Sequence, residues 1–293
     1  MGQIINGLAI GCVYALIAAG MTLIFGVLDR LNLAHTEVFA AGGFAAAVTA
    51  SSGLSVWWGL PLSFMAGGVI GLLVERISFR KFVSADARIT AALSSLGIGM
   101  VLIDLIRKVW GSDPAAVDLT GPMFMGGVEF AGVRFNWFVV LLMAVSLLLC
   151  LVLHLMITNT GLGRRVRAVA ESAERAALIG VDVVAVARLM FFLSSALAAV
   201  AGFFVALRAG SANPDIGLGF GLKAVAIMAI GGMGELRGAL LAGLLVGVLE
   251  ALMFQANLGR LSEMLVWVLM IAVLLVRPDG LFGSGAHGRQ ERV

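Results

Sequence analysis

The chain has 293 residues; 61% of them are apolar, 13% are charged, and the formal net charge at pH 7 is +3. The charged share is about half that of a typical soluble protein, and so few polar side chains cannot cover a water-soluble core. The basic residues do not cluster among aromatic ones, which argues against a nucleic-acid binder. The apolar runs are continuous rather than alternating, which argues against a membrane β-barrel. We therefore expect an all-α, polytopic membrane protein.

Nine apolar segments are candidates for membrane helices, since a helix needs about 20 apolar residues to cross the hydrocarbon layer. In chain order they are residues 3–26, 32–51, 56–78, 88–107, 137–157, 186–207, 222–233, 238–256 and 263–276. The seventh and the ninth are short, and the sequence GGMGE interrupts the seventh. The sequence thus predicts eight to ten transmembrane or half-spanning helices. The first segment has no basic lead-in and no cleavage-like end, so we expect a retained span rather than a signal peptide.

Basic residues indicate the orientation, because the cytoplasmic loops of membrane proteins are enriched in lysine and arginine. Segments 75–88 and 158–188 are rich in them, and the two spans between these segments place both on the same side. We expect both segments and the C-terminal tail to be cytoplasmic. The segment 109–136 then lies outside, where its Asp-Pro and Gly-Gly sequences predict a short hairpin over the outer mouth. Counting backwards puts the N-terminus outside as well.

Several glycines are spaced four residues apart on predicted helix faces. These pairs are Gly7 and Gly11, Gly67 and Gly71, and Gly243 and Gly247. Small residues at this spacing let two helix backbones approach closely in lipid. We predict tight helix packing at all three pairs; the alternative is that these faces slide during gating.

Several catalytic and binding motifs are missing from the sequence. There is no P-loop, so the chain is not expected to bind ATP through that loop. Cys12 and Cys150 lie in apolar runs and have neither metal-site nor disulfide spacing, so both are expected to be packing residues. His35, His154 and His287 are far apart and form no His-Glu-x-x-His pattern. These observations argue against an intramembrane enzyme and against a metal site.

A long polar segment follows the fifth span: GLGRRVRAVAESAERAALIGVDVVAVARL, residues 161–189. Its apolar residues recur at close to helical spacing, at Val166, Val169, Ala170, Ala173, Ala177 and Leu178. Glu171 precedes Arg175 by four residues, the favourable order for an ion pair on a helix, and Gly180 supplies a stop signal. We predict one short amphipathic helix on the cytoplasmic face. It either lies on anionic lipid or docks into a cleft of a partner protein, and the pattern alone favours neither.

Two ionisable side chains, His35 and Glu37, stand near the start of the otherwise apolar run 31–50. Burying such a group in hydrocarbon costs roughly 2.5–3.5 kcal/mol even on a lenient scale. The two positions are about 200° apart on a helix, so their side chains cannot pair with each other. Asn32 is expected to cap the helix, with its side-chain oxygen accepting free backbone N–H groups. The pair serves either as polar ties between helices near the interface or as a border of a substrate route.

The loop IGGMGELRG, residues 230–238, is open to two interpretations. Gly231, Gly232 and Gly234 either permit a tight reversal of the chain or expose backbone groups to a substrate. Glu235 and Arg237 are simple surface charges if the loop lies at the cytoplasmic edge. We favour the tight reversal.

Three stretches, in this order, resemble one known family. They are INGLAIGCVYALIAAGMTLIFGVLDRLNLAHTEVFAAGGF, GRRVRAVAESAERAALIGVDV, and SSALAAVAGFFVALRAGSANPDIGLGFGLKAVAIMAIGGMGELRGALLAGLLVGVLE. Over nearly its whole length the chain resembles the permease subunits of bacterial ABC importers for branched-chain amino acids, in particular the smaller, LivH-type permease. Thr36 replaces the usual glycine of the first stretch and Leu33 its common aromatic residue, which bears on the substrate rather than on the family.

The resemblance implies one transmembrane permease domain, residues 1–293, with a cytoplasmic coupling segment at about 161–185. A second, LivM-type permease would complete the pore, two ATPase subunits would dock below it, and a soluble binding protein would deliver the substrate from outside. ATP and Mg²⁺ would be bound by the ATPase, and no cofactor by this chain. The match to the coupling region covers Arg167, Glu171, Glu174, Arg175, Ala176, Ala177 and Gly180.

The substrate pathway is expected at Asn32, His35, Glu37, Gly231 and Gly232. The substrate would be a branched-chain or related apolar amino acid, and the protein would lie in the bacterial inner membrane with its C-terminus in the cytoplasm.

Two alternatives stay open. One is an ABC permease for another small solute, such as urea, an amide, an aromatic acid or a sugar. The other is an ion-coupled secondary transporter, for which Glu37, Asp104 and Glu250 are candidate buried acids.

Overall fold

A computed structural model of the chain describes residues 2–80, 88–117, 119, 124, 126–130 and 133–283. The helices are α1 (Gly2–Leu28), α2 (His35–Ser51), α3 (Gly59–Val74), α4 (Arg88–Trp110), α5 (Trp137–Asn159), α6 (Gly161–Glu171), α7 (Ala173–Leu178), α8 (Val183–Ala209), α9 (Ile216–Gly231), α10 (Leu236–Gln255) and α11 (Ser262–Val276). A 3-10 turn (Val56–Trp58) and a π-helical turn (Glu75–Phe79) extend α3 at its two ends, and a second 3-10 turn (Gly259–Leu261) leads into α11. The strands are β1 (Ala115–Ala116), β2 (Gly127–Phe130), β3 (Val133–Asn136) and β4 (Ser211–Ala212).

The helical membrane class is confirmed. Seven helical segments of the described chain are long and apolar enough to span a bilayer: α1, α3 with its flanking turns, α4, α5, α8, α10, and α11 with its leading turn. The remaining two predicted segments correspond to shorter helices, α2 with 17 residues and α9 with 16. At 1.5 Å per residue these are about 25 Å long, less than the hydrocarbon thickness of about 30 Å.

Two predicted helix starts are wrong. Helix α9 begins at Ile216 rather than at residue 222, because its first turns combine glycines with Lys223, which lowers their hydropathy without stopping the helix. Helix α2 begins at His35 rather than at residue 32. The predicted end of the seventh segment near GGMGE is close to the observed one, since α9 stops at Gly231.

Among the described residues the chain contacts form two compact units that interleave along the sequence. One, the first unit, combines Met1–Thr22, Thr120–Leu151 and Lys223–Val293. The other, the second unit, combines Leu23–Leu119 and Val152–Leu222. Because each unit draws on separate chain segments, no single position in the sequence divides them.

In the first unit, α1 and α10 pack through glycine. A Cβ on Gly7 would lie 2.9 Å from the carbonyl oxygen of Gly247, and one on Gly11 would lie 3.1 Å from the carbonyl oxygen of Gly243. A Cβ on Gly243 would in turn lie 2.6 Å from the backbone nitrogen of Ala15. Two of the three predicted glycine pairs therefore bring these helices into backbone contact, as small residues do in lipid.

In the second unit, α8 is the buried centre and α2 and α3 pack on it. A Cβ on Gly202 would collide with the carbonyl oxygen of Phe39, so α2 and α8 touch through their backbones. Gly67 of α3 lies against Ser195, whose carbonyl oxygen would be 2.7 Å from an added Cβ, and Gly71 lies against the side chain of the same serine. The third predicted glycine pair is thus a packing contact too.

The second unit has a recognisable end, which we call the coupling end. Leu28 at the end of α1, Phe79 after α3 and Val183 at the start of α8 line one cavity of about 210 Å³ there. Ser78 and Ser94 share a hydrogen bond of 2.9 Å, so α4 also begins near this end. Four helix termini therefore lie at the same level, with the segment α6–α7 directly attached to it.

The predicted hairpin is present within the segment 109–136. Strands β2 and β3 pair antiparallel, with Gly127 opposite Asn136 and Phe130 opposite Val133. Separately, β1 pairs antiparallel with β4, with Ala115 opposite Ala212. The position of the hairpin over an outer mouth stays a prediction. Three of the basic residues in the segments expected to be cytoplasmic, Lys81, Arg289 and Arg292, lie outside the described part of the chain.

Candidate functional site

The polar segment after α5 forms two helices, where the sequence predicted one. Helix α6 ends at Glu171 and α7 starts at Ala173, because the backbone of Ser172 is extended (φ −165°, ψ 116°). The Ser172 side chain accepts a hydrogen bond from the backbone N–H of Arg175, which caps α7. Serine favours such caps over helix interiors. It therefore interrupts the helix here, although the helical spacing of the apolar residues continues past it.

Side-chain caps and an arginine hold this segment in place. Thr160 accepts a hydrogen bond from the N–H of Gly163 at the start of α6 (3.1 Å), and Asp182 accepts one from Ala185 at the start of α8 (2.9 Å). The Arg167 guanidinium donates to the carbonyl oxygen of Ile157 and, at 3.2 Å, to that of Thr158. These carbonyls belong to the last turn of α5, where a cation also meets the negative end of the helix dipole. The segment is therefore braced to the membrane helix that precedes it.

The buried face of the segment is narrower than predicted. Of the six residues of the predicted face, Val166 and Val169 are buried, and the other four are exposed: Ala170, Ala173, Ala177 and Leu178. Ala176, which was not predicted for this face, is buried. Leu178 is 86% exposed and Ile179 is 75% exposed. Two large apolar side chains at the end of α7 are thus left largely uncovered by the described residues.

The predicted ion pair of the segment is present. Arg175 Nη2 lies 3.6 Å from Glu171 Oε1, across the break at Ser172. The two side chains border a cavity of about 160 Å³ that Ala176 and Ile179 also line. Gly180 has φ +83° and follows the last turn of α7, as the stop signal predicted. Glu174, Ala177 and the other predicted coupling residues lie on the same short stretch.

Helix α2 begins deep in the second unit rather than at its edge. The N–H of Leu33 donates to Ser95 Oγ at 2.9 Å, and His35 Nδ1 lies 3.4 Å from Ser194 Oγ. Ser95 is seven residues into α4 and Ser194 is eleven residues into α8, which places them about 10 and 16 Å from the coupling end. The residues 32–37 therefore lie about 10–16 Å from the coupling end, and both interpretations of His35 and Glu37 stay predictions.

The predicted polar residues at the start of α2 have separate partners. Asn32 Oδ1 accepts the N–H of Ala34 at 3.2 Å, so it caps the turn that precedes α2 and not the helix itself. His35 is fully buried against Ser194. Glu37 Oε1 lies 3.2 Å from the Thr36 hydroxyl, whereas its Oε2 is buried without a hydrogen-bond partner among the described residues. His35 and Glu37 do not pair, as the helical geometry predicted.

The first turn of α9 meets the first turn of α2. A Cβ on Gly217 would collide with the carbonyl oxygen of Thr36 and would lie 3.2 Å from Glu37 Oε2. Two helix N-termini, each with the positive end of its dipole, thus converge on one acidic side chain. Glycine allows the two helices to approach this closely. The periodicity of either helix alone could not have predicted that they meet.

An ion pair that the sequence analysis missed stands next to this junction. Arg107 Nη2 bonds Asp215 Oδ1, and their side chains are 40% and 61% exposed. Both residues lie within Coulombic range of Glu37. The two partners are 108 positions apart in the sequence, so only the fold brings them together.

The glycine loop after α9 is a tight reversal. Gly231 and Gly238 are in backbone contact, and Gly232 has φ +111°. The carbonyl oxygen of Gly231 accepts the N–H of Phe282 at 3.1 Å, so the chain after α11 covers this loop. The geometry gives Gly231 and Gly232 a packing role, and their place on a substrate pathway stays a prediction.

A second polar cluster missed by the sequence analysis joins three helices of the first unit. Tyr14 on α1 donates its hydroxyl to Glu250 Oε2 at 2.6 Å. Lys223 on α9 donates to Glu250 Oε1 at 2.8 Å, and the two side chains are 17% and 6% exposed. The sequence position of Glu250 made it a candidate buried acid. Its ion pair with Lys223 was not predictable, because the two residues are 27 positions apart and on different helices.

In the part of the chain that the structure describes, no group of three or more His, Cys, Asp or Glu side chains could hold a metal ion. Cys12 and Cys150 are both buried and form no disulfide, in keeping with packing positions.

Comparison with known proteins gives one family and several full-length relatives. The family model described as "Branched-chain amino acid transport system / permease component" matches residues 3–274. The high-affinity branched-chain amino acid transport system permease protein BraD of Pseudomonas aeruginosa is 33% identical, with 96% of this chain and 95% of BraD covered. The corresponding protein LivH of Escherichia coli is 31% identical, with 96% of this chain and 94% of LivH covered.

A solved structure shares the fold at lower sequence similarity. It is an inward-facing conformation of a metal-chelate type ABC transporter, with a TM-score of 0.51 and 18% identity. The alignment covers 94% of this chain and 86% of that one. At this identity the likeness concerns the fold alone.

Proposed function

Because this chain belongs to the family of permease components of branched-chain amino acid transport systems, we propose that it forms half of the pore of an ATP-driven ABC importer. It is a multi-pass transport subunit of the bacterial inner membrane. The cargo would be a branched-chain or related apolar amino acid, as the names of BraD and LivH state for those proteins. A LivM-type permease would supply the other half of the pore.

The observation that carries the proposal is the braced, exposed segment α6–α7. Arg167 fixes it to the last turn of α5, Ser172 caps its second helix, and Asp182 caps the start of α8 that follows it, while Leu178 and Ile179 project outward. Large apolar side chains surrounded by charge are typical of a protein docking surface rather than of a solvated loop. A rigid segment of this kind transmits the movement of a bound ATPase to the membrane helices on either side.

The same surface supports docking over lipid contact. An interfacial helix covers its apolar side with lipid along its whole length, whereas α7 is only six residues long. The apolar pair lies beside the Glu171–Arg175 ion pair, which offers polar contacts at the rim of a cleft. In this proposal the segment and the C-terminus are cytoplasmic, ATP and Mg²⁺ are bound by the partner ATPase, and a soluble protein delivers the substrate from the other side.

The substrate pathway is proposed to pass the start of α2. Half-length helices that begin at membrane depth are used by transporters to present backbone dipoles to a substrate. Asn32 offers a buried side-chain N–H and Glu37 a carboxylate oxygen, neither with a hydrogen-bond partner among the described residues. A donor and an acceptor of this kind suit the carboxylate and ammonium groups of an amino acid.

An ion-coupled transporter is the second candidate, and two contacts weigh against it. Glu250 is neutralised by Lys223 at 2.8 Å, and Asp104 is an exposed partner of Lys108 at 3.4 Å. Two of the three candidate acids therefore already have a cationic partner, which leaves Glu37.

The docking role is tested by Arg175→Glu combined with Ala177→Asp. Both side chains are exposed, so membrane insertion and the melting temperature should stay at the wild-type level. ATPase association and ATP-dependent uptake should each fall at least tenfold. The measurements are co-purification of the ATPase and uptake in vesicles. The matched control combines Arg260→Glu in the turn before α11 with Glu263→Asp in the first turn of α11, and it should leave ATPase association and uptake unchanged. Normal uptake by the docking variant would rule out this role.

A further inference from the structure

We propose that Arg107, Asp215 and Glu37 form a binding station for the charged head group of a zwitterionic amino acid. This inference rests on the proposed function, since it names how the cargo is handled at the pore. Arg107 would take the substrate carboxylate, and Asp215 and Glu37 its ammonium group. The sequence analysis singled out Glu37 but did not group it with Arg107 and Asp215.

The position of the ion pair is the first argument. Arg107 is 19 residues after the start of α4, about 28 Å from the coupling end, so it lies toward the opposite face of the membrane. Glu37 Oε2 lies beside Gly217, two residues after Asp215, where an added Cβ would be 3.2 Å from that oxygen. The three charged side chains are therefore neighbours at the junction of α2 and α9.

The exposure of the pair is the second argument. Arg107 and Asp215 bond each other but keep about half of their side-chain surface uncovered. Charged groups in membrane proteins face water-filled cavities or the bundle interior and not lipid. The space around them is open as well, because a Cβ on Gly219, one turn beyond Asp215, would meet nothing within 4 Å.

The third argument is the electrostatic balance. Moving a zwitterion out of water removes the hydration of two charges, which is the main cost of its entry. An arginine–aspartate pair can exchange partners with a zwitterion, because each side chain then meets the opposite charge of the ligand. Glu37 Oε2 adds an acceptor that has no hydrogen-bond partner among the described residues. The exchange breaks the Arg107–Asp215 ion pair and forms ion pairs between each side chain and the ligand. The net gain in free energy is therefore small, so binding should be weak and release fast, as a pore requires.

The test measures leucine binding to the purified transporter without its binding protein. Millimolar leucine should raise the melting temperature, whereas leucinamide, which lacks the carboxylate, and 4-methylvalerate, which lacks the ammonium group, should raise it much less. Arg107→Gln should lose most of the leucine shift, with an affinity on the order of tenfold lower, as expected for a charge-assisted hydrogen bond. Arg107→Lys keeps the charge and should keep part of the shift.

The neighbouring pair supplies the control. Lys108 and Asp104 are also exposed and also on α4, so Lys108→Gln should leave the leucine shift unchanged. An equal shift in Arg107→Gln and the wild type would overturn the proposal, and so would equal shifts from leucine and 4-methylvalerate. ATP-dependent uptake is measured separately on the same wild-type preparation. Its absence would contradict the proposed function, while a lost discrimination among the three ligands would contradict only this station.

Discussion

At the scale of single residues, the ionisable groups inside this membrane protein differ in how far other chain segments satisfy them. Glu250 has a tyrosine and a lysine as partners, and His35 has a serine. Glu37 has only its neighbouring threonine, and its second oxygen has no hydrogen-bond partner in the described chain. Glu250 therefore belongs to a polar cluster that ties helices together, whereas one oxygen of Glu37 lacks such a tie in the described chain.

The buried pair Lys223–Glu250 gives a prediction about stability. Lys223→Met leaves the Glu250 carboxylate buried without a cation, which should cost about 3–5 kcal/mol and lower the melting temperature sharply. The double variant Lys223→Met with Glu250→Gln removes both charges and should recover most of that loss. Thermal unfolding of the purified protein in detergent measures both.

The exposed pair on α4 is the comparison for this prediction. Lys108→Met removes the cation from a pair whose side chains are 73% and 62% exposed. Such a pair contributes about 0–1 kcal/mol, so this variant should unfold near the wild-type temperature. Equal destabilisation of the single and double Lys223 variants would show that the lost packing of the lysine stem, and not the uncompensated charge, is responsible.

At the scale of helices, glycine determines how closely the elements of each unit approach. Gly202 of α8 allows contact with the backbone of α2, and Gly247 of α10 allows contact with α1. In lipid the close packing of helix backbones takes the place of the hydrophobic effect as a force between helices.

The close approach of α8 and α2 gives a prediction from a single methyl group. Gly202→Ala places a Cβ against the carbonyl oxygen of Phe39, so the helices must separate, at a cost of about 1–3 kcal/mol or more. Gly97→Ala in α4 is the matched control, because a Cβ there meets nothing within 4 Å. Alanine is the better helix former, so this variant should be neutral or up to about 1 kcal/mol more stable. Melting temperatures compare the two, and equal values would contradict the packing argument.

Apolar run length and turn residues predicted the helices in their chain order. They worked for α1, α5 and α10, because long uninterrupted apolar runs have one stable structure in a membrane. They failed at α2 and α9, where the depth at which a helix begins depends on neighbours that are distant in sequence. They also failed at Ser172, because a serine cap competes locally with a continuing helix.

The candidate site was predictable only in part for the same reason. The coupling segment could be located because its polarity stands out between two apolar runs. Glu37 stood out as a charge in an apolar run, but its neighbours Arg107 and Asp215 did not, since each lies near a helix end where charges are common. Their importance comes from a contact across 108 residues, which no local pattern contains.

At the scale of the whole molecule, the second unit combines two features. It contains the junction at which α2 and α9 begin, and it carries the segment α6–α7 between α5 and α8. In the proposed function an ATPase binds this segment, and the bracing of the segment would pass the movement of the ATPase to the membrane helices. The pore and the hydrolysis of ATP would then belong to different chains.

This division of labour gives the last prediction. The tagged chain, purified under mild conditions, should bring an ATPase with it, and vesicles with the assembled complex should accumulate leucine only with both ATP and the binding protein. Because the head-group contacts of the pore are weak by the argument above, the complex alone should show no high-affinity leucine site. The chain reconstituted alone is the control and should give no uptake under an imposed ion gradient. Gradient-driven uptake by the single chain, or a micromolar leucine site in the permease pair, would contradict this account of the molecule.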